Sequence, residues 1–112
     1  MFEKRVLGVD PGVARLGLAV VDGEPKPVLV WAEAVTTPTG TDEPVRLHRL
    51  STAIREAIAL HRPSSVAVER IAWNRNQVSA LSVARATGAV MVAAAEAGLP
   101  VAEYGPNEVK MA

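Results

Sequence analysis

The sequence predicts an α/β domain in which a five-stranded mixed sheet is flanked by helices. Apolar, β-branched stretches separated by short turns fill the first third of the chain, and helical and strand patterns alternate after it. Only four of the 112 residues are aromatic, so the core has to be built from Val, Ala, Leu and Ile. A chain of this length fits one domain, and we expect residues 1–112 to form it.

The first part of the chain predicts an antiparallel meander of three strands. Each strand is a run of apolar and β-branched residues bounded by Gly, Pro or Asp. The three runs cover residues 5–10, 16–21 and 28–35. Short connections between them favour antiparallel pairing, and a loop rich in helix breakers follows at residues 36–41.

An amphipathic helix is expected next, from about Glu43 to His61. Its apolar residues recur at intervals of three and four and are Leu47, Leu50, Ile54, Ala57 and Ile58. Thr41 or Asp42 is the expected N-cap, and Pro63 with the serines after it ends the helix.

In the last third of the chain, strands and helices alternate. We predict a strand at residues 66–68, a long Ala-rich helix from Asn76 or Gln77 to Gly98, and a strand at residues 99–104. This alternation indicates a parallel continuation of the sheet. Asn107 is the expected N-cap of a further helix that the sequence barely enters, so we expect a domain truncated at its C-terminus. One sheet face should then be partly uncovered.

Composition excludes several classes of protein. The chain has no cysteine, which rules out disulfides and thiolate metal sites. The longest apolar stretch, between Arg85 and Glu96, falls well short of the roughly 20 residues that cross a bilayer. The N-terminus lacks the apolar region of a signal peptide, so we expect a cytoplasmic protein.

Charge is balanced overall but unevenly distributed. Twelve basic and twelve acidic residues cancel, yet Glu69 is the only acid between Glu56 and Glu96, a stretch that holds four arginines. Such a local positive surface is typical of nucleic-acid binding and equally of a solvated helix face.

Asp10 and Glu69 are the candidate residues for chemistry. Asp10 ends an apolar strand, where an unpaired buried carboxylate would be costly, so it either caps the turn at Pro11-Gly12 or binds a cation. Glu69 ends the strand at residues 66–68, at the edge where α/β sheets place ligands, or it lies on the surface. On neighbouring strands, within about 4 to 7 Å of each other, the two carboxylates would suit Mg²⁺ or Mn²⁺.

Three blocks of sequence resemble the RuvC-type Holliday junction resolvases, which are crossover junction endodeoxyribonucleases. Residues 7–18 contain Gly-Val-Asp-Pro-Gly with Gly17 five residues on, and residues 66–88 contain a glutamate followed by an Asn and an Ala-rich helix. Residues 103–110 resemble the family segment that leads into a Val-Lys-bearing helix. The spacing between these three blocks matches that of the family over essentially the whole chain.

The resemblance implies an RNase H-like fold and a two-metal site in which Asp10 bridges two Mg²⁺ ions and Glu69 binds one. It implies a structure-selective endonuclease that acts on four-way junction DNA in recombination and repair, as a homodimer and with a branch-migration helicase complex. The third and fourth family acids lie beyond this sequence, so we expect the 112-residue chain to be inactive or impaired.

Basic, amide and aromatic residues are the expected DNA contacts: Arg15, Arg70, Trp73, Arg75, Asn76, Arg85 and Lys110. Lys110 matches the family lysine. Where the family carries a wedge phenylalanine this chain has Ala72, and the neighbouring Trp73 is a flat aromatic that can stack on a base or, alternatively, pack in a core. We expect Arg70, Trp73 and Arg75 to lie on an exposed loop.

Two other functions fit parts of the sequence. A truncated domain could hold branched DNA through its basic residues without cutting, which a Mg²⁺ cleavage assay would reveal. Alternatively, Asp10-Pro11-Gly12 could be the phosphate loop of an actin-like ATPase, although a chain this short lacks the second phosphate-binding half.

Overall fold

The computed structural model describes residues 4–23, 25–69 and 77–104, with the backbone alone for residues 77–79. Five strands and two helices follow one another in the predicted order. They are β1 (Arg5–Asp10), β2 (Arg15–Asp22), β3 (Val28–Thr36), α1 (Glu43–His61), β4 (Ser65–Glu69), α2 (Gln77–Glu96) and β5 (Val101–Tyr104). The predicted helix entry at residues 105–107 lies outside the described residues.

The strands form one mixed sheet in the order β3-β2-β1-β4-β5, which confirms the predicted fold class. β1, β2 and β3 pair antiparallel as a meander, while β4 pairs parallel to β1 and β5 pairs parallel to β4. α1 connects β3 to β4 and α2 connects β4 to β5, as parallel strands require a crossover. The first strand is therefore central, with β2 and β4 on its two sides.

Both helices pack on the same face of the sheet. The buried strand residues alternate along the chain and are Leu7, Val9, Leu16, Leu18, Val20, Val66 and Val68. They form one cluster with Leu50 and Ile54 of α1 and with Val90 and the alanines of α2. Leu50 and Ile54 belong to the apolar stripe predicted for α1, and both are fully buried. Since side chains alternate across a strand, the residues between the buried ones face the other side of the sheet.

The other face is not covered by any described element, and its central residues are small. Gly8 on β1, Gly17 and Ala19 on β2, Ala32 on β3 and Ala67 on β4 line a cleft on this side. Small side chains leave the backbone of the sheet close to solvent along this face. The cleft therefore has a flat, mostly apolar floor.

The bounds of α1 agree with the prediction, since the helix runs from Glu43 to His61. Asp42 is the N-cap of α1, but its side chain makes no capping hydrogen bond. Its carbonyl accepts the backbone N–H groups of Val45 and Arg46 at 3.0 and 3.1 Å. At the other end of α1, Arg62 adopts a left-handed conformation with φ 50°, which turns the chain before Pro63.

The end of α2 differs from the prediction, because the helix ends at Glu96 and not at Gly98. Gly98 has φ +72°, and its N–H donates to the carbonyl of Ala95 while that of Leu99 donates to the carbonyl of Ala94. This is the Schellman arrangement, in which a left-handed glycine closes the helix. The chain consequently reverses at Gly98, and β5 begins at Val101, later than the predicted start at Leu99.

An ion pair joins β1 and β2 at the end of the sheet away from Asp10. The Arg5 guanidinium donates to both carboxylate oxygens of Asp22, at 2.7 and 3.0 Å, and also to the His61 carbonyl at the end of α1. The hydrogen bond from Arg5 is the main reason why the pKa of Asp22 lies below its ordinary value. This cluster links the first strand to the end of the first helix.

Within the described residues, neither helix combines the length and the apolar character needed to span a bilayer.

Candidate metal and nucleic-acid site

Asp10 and Glu69 end neighbouring parallel strands and face the same side of the sheet. The register pairs Gly8 with Ala67 and Val9 with Val68, so Asp10 and Glu69 occupy the next position on each strand. Both residues line the cleft on the uncovered face. Asp10 is exposed and Glu69 is half-buried, so both carboxylates can be reached from solvent. The structure thus brings together the two acids that the sequence singles out.

The cleft is a broad, open concavity of about 620 Å³. Its floor is formed by the small residues of the central strands, and its polar groups stand at one end. Those groups are Asp10, Arg15, Glu69 and Tyr104. A shallow apolar floor with charged groups at one end is a surface that an extended polyanion can approach without entering a deep pocket.

A tight turn follows Asp10 and separates it from Arg15. A Cβ atom added to Gly12 would lie 2.6 Å from the carbonyl oxygen of Arg15, which real Cβ atoms do not tolerate. Glycine is therefore required at this position by close backbone approach. The turn carries the chain from Asp10 on β1 to Arg15 at the start of β2, and both residues line the cleft.

The two carboxylates suit a hard divalent cation. Mg²⁺ is commonly bound in proteins through one or two carboxylates while it keeps several water ligands. Among the described residues, no group of three or more His, Cys, Asp or Glu side chains converges on one point. Asp10 and Glu69 could therefore hold a metal only together with water or with groups outside the described part of the chain.

The predicted DNA contacts fall into three groups. Arg15 lies in the cleft, whereas Arg85 is on α2, on the helix side of the sheet, where its guanidinium pairs with Glu43 of α1. The remaining five lie outside the described residues: Arg70, Trp73, Arg75, Asn76 and Lys110. Their predicted exposure on a loop stays a prediction.

Tyr104 is a cleft residue that the sequence analysis does not single out. It pairs with Glu69 in the parallel ladder of β4 and β5, and its side chain is 38% exposed. One feature of the sequence could have indicated Tyr104: it ends the last predicted strand, which was expected to run parallel to the strand that ends in Glu69. Without the register between those strands, that signal does not distinguish Tyr104 from Glu103.

The family follows from comparison with known proteins. The family model "Crossover junction endodeoxyribonuclease RuvC" matches residues 6–112. The chain belongs to the RuvC family. The RuvC protein of Moorella thermoacetica is 41% identical over 110 residues, which cover 96% of this chain and 65% of that relative.

Solved RuvC structures match the fold as well. A structure of Thermus thermophilus RuvC in complex with Holliday junction substrate superposes with a TM-score of 0.89 and 42% identity, covering 96% of this chain and 68% of that one. The yeast mitochondrial Holliday junction resolvase Ydc2 has a TM-score of 0.67 at 14% identity, over 97% of this chain and 56% of that one. At this low identity, the match to Ydc2 shows only that the two proteins share a fold.

The chain spans about 65% of the length of the RuvC relatives that it matches. The family model nevertheless covers the two carboxylates, the Asp10-to-Arg15 turn and all of the described sheet except Arg5. The RuvC match thus includes every residue of the cleft described above.

Proposed function

We propose that this chain carries the first half of the metal site of a Holliday junction resolvase, a structure-selective endonuclease that hydrolyses phosphodiester bonds in four-way junction DNA. The observation that carries the proposal is the pairing of Asp10 and Glu69 at the ends of adjacent parallel strands, on the uncovered face. Membership of the RuvC family supports junction DNA as the substrate. We propose that it acts in the cytoplasm, in DNA recombination and repair.

In this proposal Asp10 and Glu69 would be the protein ligands of the divalent cations. When bound, Mg²⁺ (or Mn²⁺ in its place) would activate a water nucleophile and stabilise the leaving oxygen. The protein's own part is to hold the two carboxylates on rigid strands, where they need not reorganise during the reaction. The small residues of the floor keep the approach to these carboxylates free of side chains.

Arg15 would contribute the phosphate contact nearest to the carboxylates. It opens β2 and lines the same end of the cleft as Asp10, and it is exposed to solvent. A guanidinium at this place can pair with a phosphate oxygen and fix the register of the strand to be cut. We propose Arg70, Trp73, Arg75, Asn76 and Lys110 as further contacts to the junction arms, whereas Arg85 pairs with Glu43 on the opposite side of the sheet.

A homodimer is part of the same proposal, because symmetrical cutting of a junction needs two sites. α2 offers a surface for it: Val90 and Ala94 are buried in the core, whereas Leu81 and Val92 are more than half exposed. Cooperation with a branch-migration helicase complex is proposed from the family resemblance. We also propose that residues 1–112 belong to a single domain.

We propose that the 112-residue chain alone cleaves junctions poorly or not at all. Its described residues bring two acids together and no third, and two carboxylates leave a second metal ion weakly held. A chain of this kind that binds branched DNA without cutting is therefore the second candidate function. Cleavage of a labelled junction in Mg²⁺, with binding measured in parallel in Ca²⁺, separates the two.

The decisive experiment compares Asp10→Asn and Glu69→Gln in a chain extended to the length of the RuvC relatives. Either change should lower the single-turnover cleavage rate by at least about 100-fold while junction binding stays intact, because only metal ligation is removed. Glu33→Gln is the matched control, since Glu33 is opposite the buried Leu18 and therefore faces the helix side of the sheet, away from Asp10.

Unimpaired cleavage by Asp10→Asn would contradict the proposed metal site. Robust cleavage by the 112-residue chain, purified free of longer species, would show that two carboxylates suffice and that the proposed incomplete site is wrong.

A further inference from the structure

Thr37 is the one buried polar residue among those that the structure describes, with 5% of its surface exposed. It directly follows β3, on the connection to α1. Its hydroxyl donates a hydrogen bond of 2.7 Å to the carbonyl of Val13, and its backbone N–H donates one of 3.1 Å to the carbonyl of Ala14. A single residue thus binds two consecutive carbonyl groups of a distant loop.

That loop, residues 11–14, joins the two cleft residues Asp10 and Arg15. Pro11 and Val13 are buried, and Gly12 sits where no side chain fits. The loop is therefore held by packing at two residues and by Thr37 at its carbonyl groups. Without the Thr37 hydroxyl, the Val13 carbonyl would lose its side-chain partner in a place that water does not easily reach.

Arg46 extends this connection to the first helix. Its Nε donates to the Thr37 hydroxyl oxygen at 2.8 Å, and Nη2 lies 3.5 Å from the Thr37 carbonyl oxygen. The hydroxyl consequently donates to Val13 while it accepts from a charged guanidinium. Hydrogen bonds in series polarise one another, so the bond to the loop is strengthened by the charge on Arg46.

We propose that Thr37 is a positioning residue for the metal and phosphate site. It ties the loop of residues 11–14 to α1, so that the carboxylate of Asp10 and the guanidinium of Arg15, at the two ends of this loop, stay directed to the same end of the cleft. This inference rests on the proposed function, in which Asp10 is a metal ligand. Thr37 itself does not line the cleft.

The role is separable from general stability. Thr37 binds the loop at two carbonyl groups and takes no part in the pairing of β1 with β2, so loss of the hydroxyl should loosen the loop while the sheet keeps its pairing. A looser loop would make the site less preorganised. Loss of a group bonded directly to a metal ligand typically lowers metal affinity by about 10- to 100-fold, and Thr37 acts one residue further away, so we expect an effect at the lower end of that range.

The test is Mn²⁺ binding by the chain of 112 residues, followed by the electron paramagnetic resonance signal of free Mn²⁺. Thr37→Val keeps the shape of the side chain but removes the hydroxyl, and it should raise the Kd for Mn²⁺ by about tenfold. Thr37→Ser restores the hydroxyl and should return the Kd to the wild-type value. Unfolding by urea is measured for every variant.

Ser64→Ala is the matched control. The Ser64 hydroxyl also donates to a backbone carbonyl, that of Arg5 at 3.0 Å, but at the far end of β1. Its loss should leave the Kd for Mn²⁺ unchanged. Should Ser64→Ala weaken Mn²⁺ binding as much as Thr37→Val, the effect is one of general stability and the positioning role is overturned.

Arg46→Met provides a second variant in case Thr37→Val does not fold. It removes the charged donor and leaves the Thr37 hydroxyl, so it should raise the Kd in the same direction by a smaller factor. An unchanged Kd in a folded Arg46→Met chain, together with failure of Thr37→Val to fold, contradicts the inference.

Asp10→Asn separates this inference from the proposed function. If Asp10→Asn abolishes Mn²⁺ binding while Thr37→Val binds like wild type, the metal site stands and the role of Thr37 is wrong. If Asp10→Asn binds Mn²⁺ as wild type does, the proposed metal site fails, and the inference fails with it.

Discussion

Gly17 lies directly opposite Asp10 in the antiparallel ladder of β1 and β2, and a Cβ atom on Gly17 would stand 3.4 Å from the Cβ atom of Asp10. That separation is at the close end of ordinary contact, so one methyl group fits but a branched side chain would press on the carboxylate. The lack of a side chain at Gly17 therefore leaves room for Asp10 and for whatever Asp10 binds.

Replacing Gly17 by Val should weaken divalent metal binding by about tenfold or more, because the branched side chain displaces Asp10. Val is well suited to strands, so the change should not unfold the sheet. Ala19→Val, on the same strand and face but opposite Gly8, is the control and should bind Mn²⁺ as wild type does. Equal Mn²⁺ affinities for Gly17→Val and wild type would show that a side chain at position 17 does not displace the Asp10 carboxylate.

Two glycine-to-alanine changes should have opposite effects on stability. Gly12→Ala should lower the free energy of unfolding by about 1 to 3 kcal/mol, since its Cβ would meet the Arg15 carbonyl at 2.6 Å. Gly88→Ala, on an exposed position of α2 with open space around it, should raise that free energy by about 0.5 to 1 kcal/mol. Urea unfolding of both variants measures these free energies. Equal decreases in the free energy of unfolding would contradict the close backbone approach at Gly12.

The ion pair of Arg5 with Asp22 should make stability depend on pH in the acid range. The pKa of Asp22 is lowered in the folded chain from its ordinary 3.8, so its contribution is complete above that value and disappears as the pH falls through the lower, folded pKa. Asp22→Asn should therefore be less stable than wild type at neutral pH, and the difference should shrink on acidification. A difference that is constant between neutral pH and about pH 2 would show that the carboxylate charge is not involved.

Arg15 should set part of the salt dependence of junction binding. If it neutralises one phosphate, Arg15→Ala lowers the slope of log K against log salt by about 1. Arg49→Ala is the control, because Arg49 is an exposed residue of α1, on the helix side of the sheet. Binding of a labelled junction between about 50 and 200 mM salt measures both slopes. An unchanged slope for Arg15→Ala would show that Arg15 does not contact a DNA phosphate.

Trp73 lies outside the described residues, and its predicted role is tested directly by substitution. In the chain extended to the length of its relatives, Trp73→Ala should reduce junction cleavage while the free energy of unfolding changes by less than about 1 kcal/mol, as is usual for surface residues. A large loss of stability would instead identify Trp73 as a core residue.

The order of the elements and most of their bounds could be predicted from the sequence, because they depend on local patterns. The turn residues Pro11-Gly12 and Asp22-Gly23 mark the ends of strands, and the spacing of Leu50, Ile54 and Ala57 marks one face of a helix. Asp10 and Glu69 were candidates for the same reason, since each ends an apolar strand.

The tertiary structure decided which residues meet. Tyr104 beside Glu69 and Thr37 on the Val13 carbonyl are contacts between residues far apart in the chain, and Gly17 is opposite Asp10 through the register of β1 and β2. Such contacts depend on strand register and on the packing of α1, which no local periodicity encodes. Similarly, α2 ends at Glu96 because the left-handed Gly98 and its two hydrogen bonds close the helix, whereas the Ala-rich pattern alone continues past that point. Local sequence thus determined the strands and their carboxylates, and long-range packing determined the surroundings in which those carboxylates act.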